Sequence, residues 1–187
     1  MSHEVEIKFL VADLATLQAQ LQAAGFREQT PRTHEFNVLY DRAGALRRRG
    51  EILRIRKYGE EWTLTHKSKG KGGRHKVRAE TETRVADGEQ LARVFAHMGF
   101  KPAFTYEKYR SEWSDGEGHV VLDETPIGDV AEIEGSAPWI DRTAARLGID
   151  PKQYITKSYV ELFTDWKRRT GSRAAEMTFK AVAPERL

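Results

Sequence analysis

Along much of the chain, charged and apolar residues alternate one for one. In Glu4-Val5-Glu6-Ile7-Lys8-Phe9 the even positions are charged and the odd ones apolar. Successive side chains of a strand point to opposite faces, so this pattern predicts a strand with one ionised and one apolar face. The same habit runs through Leu53-Arg54-Ile55-Arg56, Trp62 to Lys67, Lys76 to Glu82 and Glu107 to Trp113, and through Val121-Leu122-Asp123 with Glu132-Ile133-Glu134. A helical period marks four other stretches. Asp13 and Asp87 stand at N-cap positions, Gln90 has capping-box spacing after Asp87, and Gly25 and Gly99 fit the helix stops. Between them Leu14, Leu17 and Leu21 share one helix face, as do Leu91, Phe95 and Met98. A third helix is expected from Ser136 to near Gly148 and a fourth from Ser158 to Arg168; the rest reads as strands.

The two capped helices belong to a repeat. Val11-Ala12-Asp13 aligns with Val85-Ala86-Asp87 at an offset of 74, and the match carries Leu17 onto Leu91, Gly25 onto Gly99 and Phe26 onto Phe100. Two matched units point to a duplicated strand-helix module closing into one fold, since solenoids need at least three repeats.

Composition changes the picture in one respect. Charged residues make up 32% of the 187, above the roughly 25% of an average domain. Counting glycine, the apolar share is near the globular norm, which excludes wholesale disorder. A single domain over residues 1–170 is expected, with a tail over 171–187, although two small intertwined halves also suit this length. No stretch is long and apolar enough to span a membrane, and the first residues carry no signal-peptide pattern. Cysteine is absent, which excludes disulfides and thiolate chemistry and makes the cytoplasm the default. With 31 Lys and Arg against 28 Asp and Glu, the charge is too balanced to argue for nucleic acid.

An antiparallel sheet with one solvated face explains any single strand of this kind. As a set, the polar faces are unusual in carrying almost only ionised groups, with acids concentrated on particular strands. Glu4 with Glu6, and Glu132 with Glu134, form Glu-x-Glu pairs whose carboxylates lie about 7 Å apart at a rise of about 3.3 Å per residue. If the strands close into a barrel with helices outside, these faces line a lumen. Its natural contents combine both signs: a hard divalent cation on the carboxylates and a polyphosphate on the guanidinium and ammonium groups.

Glu4-x-Glu6-x-Lys8, Leu53-Arg54-Ile55-Arg56, Leu64-Thr65-x-Lys67, Arg78-x-Glu80-x-Glu82, Glu107-Lys108-x-Arg110, Asp123 and Glu132-Ile133-Glu134 follow one another in an order that resembles the CYTH superfamily, the triphosphate tunnel metalloenzymes. Pro102-Ala103-Phe104-Thr105-x-Glu107-Lys108 and Lys157-Ser158-Tyr159 make it most similar to the class IV adenylyl cyclase branch. The resemblance implies an α+β fold, an eight-stranded antiparallel closed barrel with helices outside, and one or two Mg²⁺ or Mn²⁺ ions. It implies Glu4, Glu6, Asp123, Glu132 and Glu134 on the metal side. Lys8, Arg54, Arg56, Lys67, Lys108, Arg110 and Lys157 fall on the phosphate side, with Lys8 and Lys67 as catalytic lysines. Arg78, Glu80 and Glu82 line the same lumen as contacts or as salt-bridge scaffolding. Asn37 departs from the family, which often carries Asp there.

The implied reaction turns ATP into cyclic AMP and pyrophosphate. The alternative in the same fold hydrolyses tripolyphosphate, a nucleoside triphosphate or thiamine triphosphate, and a third reading is a non-catalytic polyphosphate or nucleotide sensor. The partner is a small triphosphate, with no membrane and no nucleic acid, in a monomer or homodimer. The segment Lys67 to Arg74 lacks P-loop order and reads as a hairpin loop or a flap over the tunnel mouth. The six histidines lack zinc-ligand spacing, and Arg47-Arg48-Arg49 and Lys167-Arg168-Arg169 read as solvated.

Overall fold

A computed structural model describes residues 2–71 and 73–183. In chain order these form β1 (Ser2–Leu10), α1 (Leu14–Ala23), β2 (Arg27–Asp41), α2 (Ala45–Arg49), β3 (Ile52–Tyr58), β4 (Glu61–Lys67), β5 (Lys76–Val85), α3 (Gly88–His97), β6 (Lys101–Ser114), β7 (His119–Thr125), β8 (Gly128–Glu134), α4 (Ala137–Arg146), α5 (Tyr159–Thr170) and α6 (Phe179–Val182). The strands close into a barrel in the order β1-β5-β4-β3-β2-β6-β7-β8, with antiparallel neighbours throughout.

The repeat is visible in the backbone. Asp13 has φ −148° and ψ 106°, Asp87 has φ −149° and ψ 105°, and each caps the helix that follows it. Gly25 and Gly99 end those helices at φ +85° and +83°, a left-handed conformation that glycine adopts without strain. Exchanging β1 with β5, β2 with β6, β3 with β7 and β4 with β8 returns the same ring of strands read backwards. Complete capping boxes fall between Ser158 and Glu161 at α5 and between Asp150 and Gln153 at a short 3-10 turn before it.

Apolar side chains of the alternating strands point outward and meet the helices. Ile7, Phe9, Trp113, Val120, Leu122 and Ile133 bury themselves against Leu17 and Leu21 of α1 and Trp139, Ile140 and Ala144 of α4. Each such aliphatic or aromatic side chain contributes about 1.5–3 kcal/mol. A second cluster joins Tyr40 and Ile55 to Phe95 of α3. Gly118 and Gly135 make room for Trp139, whose ring would lie 2.5 Å and 2.7 Å from a Cβ at those positions. That close approach seats α4 beside one rim of the barrel.

The fold places three stretches that the strand alternation left open. Arg47-Arg48-Arg49 is exposed but helical. Asp41 draws the chain into that turn by accepting from the backbone N–H groups of Leu46 and Arg47. The loop from Lys67 to Arg74 joins β4 to β5, with Arg74 paired to Asp141 at 3.3 Å; Gly72 lies outside the described residues. Residues 171–183 are held to the barrel, because Met177 exchanges backbone hydrogen bonds with Thr105 and Glu107 of β6 and is fully buried among Tyr106, Tyr159 and Phe163; 184–187 lie outside the described residues. Among the described residues no helix is long and apolar enough to cross a membrane.

Met177 therefore acts as a core residue. We expect Met177→Ala to cost about 2–5 kcal/mol in chemical denaturation; an unchanged midpoint would mean that the segment contributes nothing to the fold.

Candidate active site

The inward faces of all eight strands surround a cavity of about 560 Å³. Its wall is ionic because period-two alternation sends every second side chain of each strand inward. The first turn of α5 reaches it as well, through Ser158, Tyr159 and Val160.

Carboxylates gather where β1 meets β8. Register sets Glu6 opposite Glu134 and Lys8 opposite Glu132. Oxygens of Glu4, Glu6 and Glu134 lie within 4.8 Å of one another, close enough to share a cation. Three hard oxygen donors suit Mg²⁺ or Mn²⁺. Among the described residues Glu134 makes no ion pair, unlike its neighbours. Burial pushes its carboxyl up to about 8, and the charges of Glu132, Glu4 and Glu6 add to that. Burial also raises Glu6, but Lys8 at 2.7 Å and Lys76 at 3.0 Å outweigh it and bring the carboxyl down to about 2.

The other two carboxylates expected on the metal side stand apart. Asp123 is fully buried, absent from the cavity lining, and saturated by Lys108 at 2.9 Å, by both Nε and Nη2 of Arg110 at 2.7 Å and by the hydroxyl of Tyr159. Glu132 lines the cavity but is taken by Lys8 at 3.2 Å and Arg110 at 3.1 Å. Cations won these two because the register sets Asp123 opposite Arg110 and Glu132 opposite Lys8.

The cationic side is spread over five strands, β1, β3, β4, β5 and β6. Arg54 and Arg56 of β3 reach Thr65, Thr63 and Glu82 at 3.3–3.5 Å. Lys67 of β4 bridges Glu4 and Glu80, each at 2.8 Å. Burial disfavours the Lys8 ammonium, yet Glu132 and Glu6 hold its pKa above the ordinary lysine value; Lys67 is likewise raised, by Glu4 and Glu80 against burial and Arg54. Both lysines thus remain charged donors. Lys157 alone of the expected set does not enter the lumen: its exposed ammonium pairs with Asp165, along a separate groove beside Trp166. That position follows from its place just before the N-cap of α5, where Tyr159 takes the inward direction.

Sequence reading missed Lys76, Tyr106, Tyr159 and Glu35. Lys76 lines the lumen, and burial together with neighbouring Lys8 lowers its pKa despite Glu6. Tyr106 accepts from Arg54 at 3.4 Å, and Lys108 lies 4.5 Å over the ring of Tyr159. The alternation Glu35-Phe36-Asn37-Val38 carried the signal for Glu35.

Opposite shifts give opposite pH windows. The unfolded Glu134 carboxyl releases its proton near 4.5 while the native one keeps it to about 8. In that window the native state binds more protons, so stability falls as pH rises. Glu6 works in reverse, giving stability above 4.5 that is lost as pH falls toward 2. We therefore expect Glu134→Gln, which cannot ionise, to gain thermal stability relative to wild type steadily from pH 5 to 8.5 without metal. Parallel melting curves for the two proteins across that range would contradict this.

A model of the CYTH domain matches residues 2–159. A Methanocaldococcus jannaschii protein provisionally named an adenylate cyclase is 28% identical over 173 residues, covering 85% of this chain and 97% of its own. Among solved structures, a Vibrio parahaemolyticus protein with the same provisional name superposes with a TM-score of 0.77 at 19% identity, covering 87% of this chain and 98% of its own. A Hippeastrum protein provisionally named an adenylyl cyclase, and described as revealing a dominant triphosphatase activity, superposes at 0.65 with 20% identity, covering 87% and 95%. The match runs through all eight strands and ends on Tyr159, inside the lumen, so this chain belongs to the CYTH domain family, the triphosphate tunnel metalloenzymes.

Proposed function

We propose that the tunnel holds a nucleoside triphosphate with a divalent cation and converts ATP to cyclic AMP and pyrophosphate. One observation carries this reading: the carboxylate triad Glu4, Glu6 and Glu134 shares a single cavity with Arg54, Arg56, Lys8 and Lys67. Mg²⁺ and Mn²⁺ both fit those oxygens, with Glu134 as the uncommitted ligand. A cation bound there lowers the pKa of the attacking hydroxyl and offsets charge on the phosphate oxygens.

The protein's own side chains do the rest by position and charge. Arg54 and Arg56 are only 12% and 17% exposed, and their contacts to Thr63, Thr65 and Glu82 are long enough to be exchanged for phosphate oxygens. Lys8 and Lys67 stay protonated and neutralise charge that builds as the ribose 3′-oxygen attacks the α-phosphorus and the bridging oxygen leaves with pyrophosphate. Burial and neighbouring Lys8 make the Lys76 ammonium easier to deprotonate, which suits it to proton exchange with the reacting hydroxyl. Asp123 acts from behind, fixing Lys108 and Arg110. A chain without cysteine suits the reducing cytoplasm.

Hydrolysis of tripolyphosphate, a nucleoside triphosphate or thiamine triphosphate is the second reading. It is favoured by the Arg, Lys and Glu side chains of the lining, which address phosphate and cation and no particular organic group. The rings of Tyr106 and Tyr159 at that wall have their hydroxyls committed to Arg54 and Asp123.

Incubating the protein with ATP, tripolyphosphate and thiamine triphosphate under Mg²⁺ or Mn²⁺ and separating the products distinguishes the two. Cyclic AMP with pyrophosphate is the expected result; orthophosphate alone selects the hydrolase, and no turnover of any of the three refutes both. Glu134→Gln should lower metal-dependent turnover by at least the roughly 10–100-fold typical of outer metal-site partners, with the fold retained. Glu6→Gln should lose activity and also about 3 kcal/mol of stability, because Lys8 and Lys76 lose a buried partner. Equal stability loss in both variants would remove the distinction drawn between them.

A further inference from the structure

Glu35 of β2 is fully buried behind the cavity wall, and its carboxylate is the focus of three cations. Lys108 Nζ stands 3.6 Å away, Arg110 Nε 3.7 Å and Arg56 Nη1 3.9 Å. These are ion-pair distances, too long for hydrogen bonds. The hydrogen bond it does receive comes from Asn37 Nδ2, which donates to Oε1 at 2.9 Å, while Oε2 is buried with no donor among the described residues. An unpartnered buried carboxylate oxygen is unusual, since buried acceptors are nearly always satisfied.

The reason lies with the cations. Arg110 spends Nε and Nη2 on Asp123, Lys108 donates to Asp123, and Arg56 aims Nε at Thr63 and Nη2 at Glu82. Glu35 thus supplies negative charge to the wall without occupying its donors. Burial would raise its carboxyl, but Lys108, Arg110, Arg56 and Arg54 hold it well below the usual carboxylate range. Asn37 is also fully buried and also leaves Oδ1 without a donor. The two residues carry one charge between them, and a second carboxylate at 37 would sit within hydrogen-bond distance of the first.

We propose that Glu35 is a fixed counter-ion beneath the phosphate wall that limits how tightly the tunnel holds triphosphate and pyrophosphate. The inference rests on the triphosphate reading above. A wall already balanced from behind admits an anion without being trapped by it, because the bound phosphates feel Glu35 as a like charge through low-dielectric protein. At an effective dielectric constant near 20, one charge about 12 Å from a bound phosphate changes anion affinity by about tenfold.

The test is a metal-free calorimetric titration of tripolyphosphate into wild type, Glu35→Gln, Glu35→Asp and Asn37→Asp, each checked for folding by its melting curve. Glu35→Gln should bind about tenfold tighter and be inhibited about tenfold more strongly by pyrophosphate, with a lower KM. Asn37→Asp should bind about tenfold more weakly, and Glu35→Asp should stay near wild type. A residue needed only for architecture would give weaker binding in every variant along with lowered melting temperatures, and that result, or unchanged affinity in both charge-altering variants, overturns the proposal. Should Glu35→Gln fail to fold, Asn37→Asp decides alone: wild-type affinity in a folded protein is then the refuting result. Wild type that binds tripolyphosphate with the variants in the wrong order refutes this inference only; wild type that binds none refutes the triphosphate reading and this inference with it.

Discussion

A closed barrel with charged side chains inside must balance those charges among its own atoms, because desolvated ions cost several kcal/mol each unless paired. The lumen meets this constraint with interlocking pairs. Lys8 lies between Glu6 and Glu132, Lys67 between Glu4 and Glu80, and Arg110 between Asp123 and Glu132. Strand register creates the pattern by setting Lys8 opposite Glu132, Lys67 opposite Glu80 and Arg110 opposite Asp123. Hydrogen bonding around the barrel and charge balance within it are therefore the same geometrical fact.

The balance is incomplete in places. Among the described residues Glu134 has no cation of its own and shares a small volume with two other carboxylates, a repulsion that a divalent ion there would relieve. Arg54 and Arg56 hold only long contacts, so their donors remain available. Asp123 shows the opposite extreme: a saturated carboxylate is a good scaffold and a poor ligand. Glu35 falls between, fully charged yet barely bonded.

The outer face follows different physics. Helices α1, α3 and α4 cover alternating apolar residues, and α5 inserts Tyr159 so that its ring meets Lys108 while its hydroxyl meets Asp123. The family model reaches this residue. Met177 then binds the segment after Thr170 to β6 beside it, so that segment supports the same corner of the tunnel.

Period-two alternation and the offset-74 repeat were enough to foresee the strands and the two capped helices, because backbone geometry translates those patterns directly into faces; the closed tunnel came from the family resemblance of the ordered motifs. The ordered motifs likewise pointed to Glu4, Glu6, Glu134, Arg54, Arg56 and Lys67 as lumen residues. What a linear pattern cannot carry is which charge meets which. Asp123 and Glu134 look alike along the chain, yet pairing across β6 and β7 saturates one, while pairing across β1 and β8 sets the other against Glu6. Lys157 looked like its lumen counterparts until the turn into α5 sent it outward. Sequence by itself determined which residues share a strand face, since that depends on local periodicity; only the closed tertiary structure decided that these faces line a lumen and which partners meet there, since closure and pairing depend on register between strands far apart in the chain.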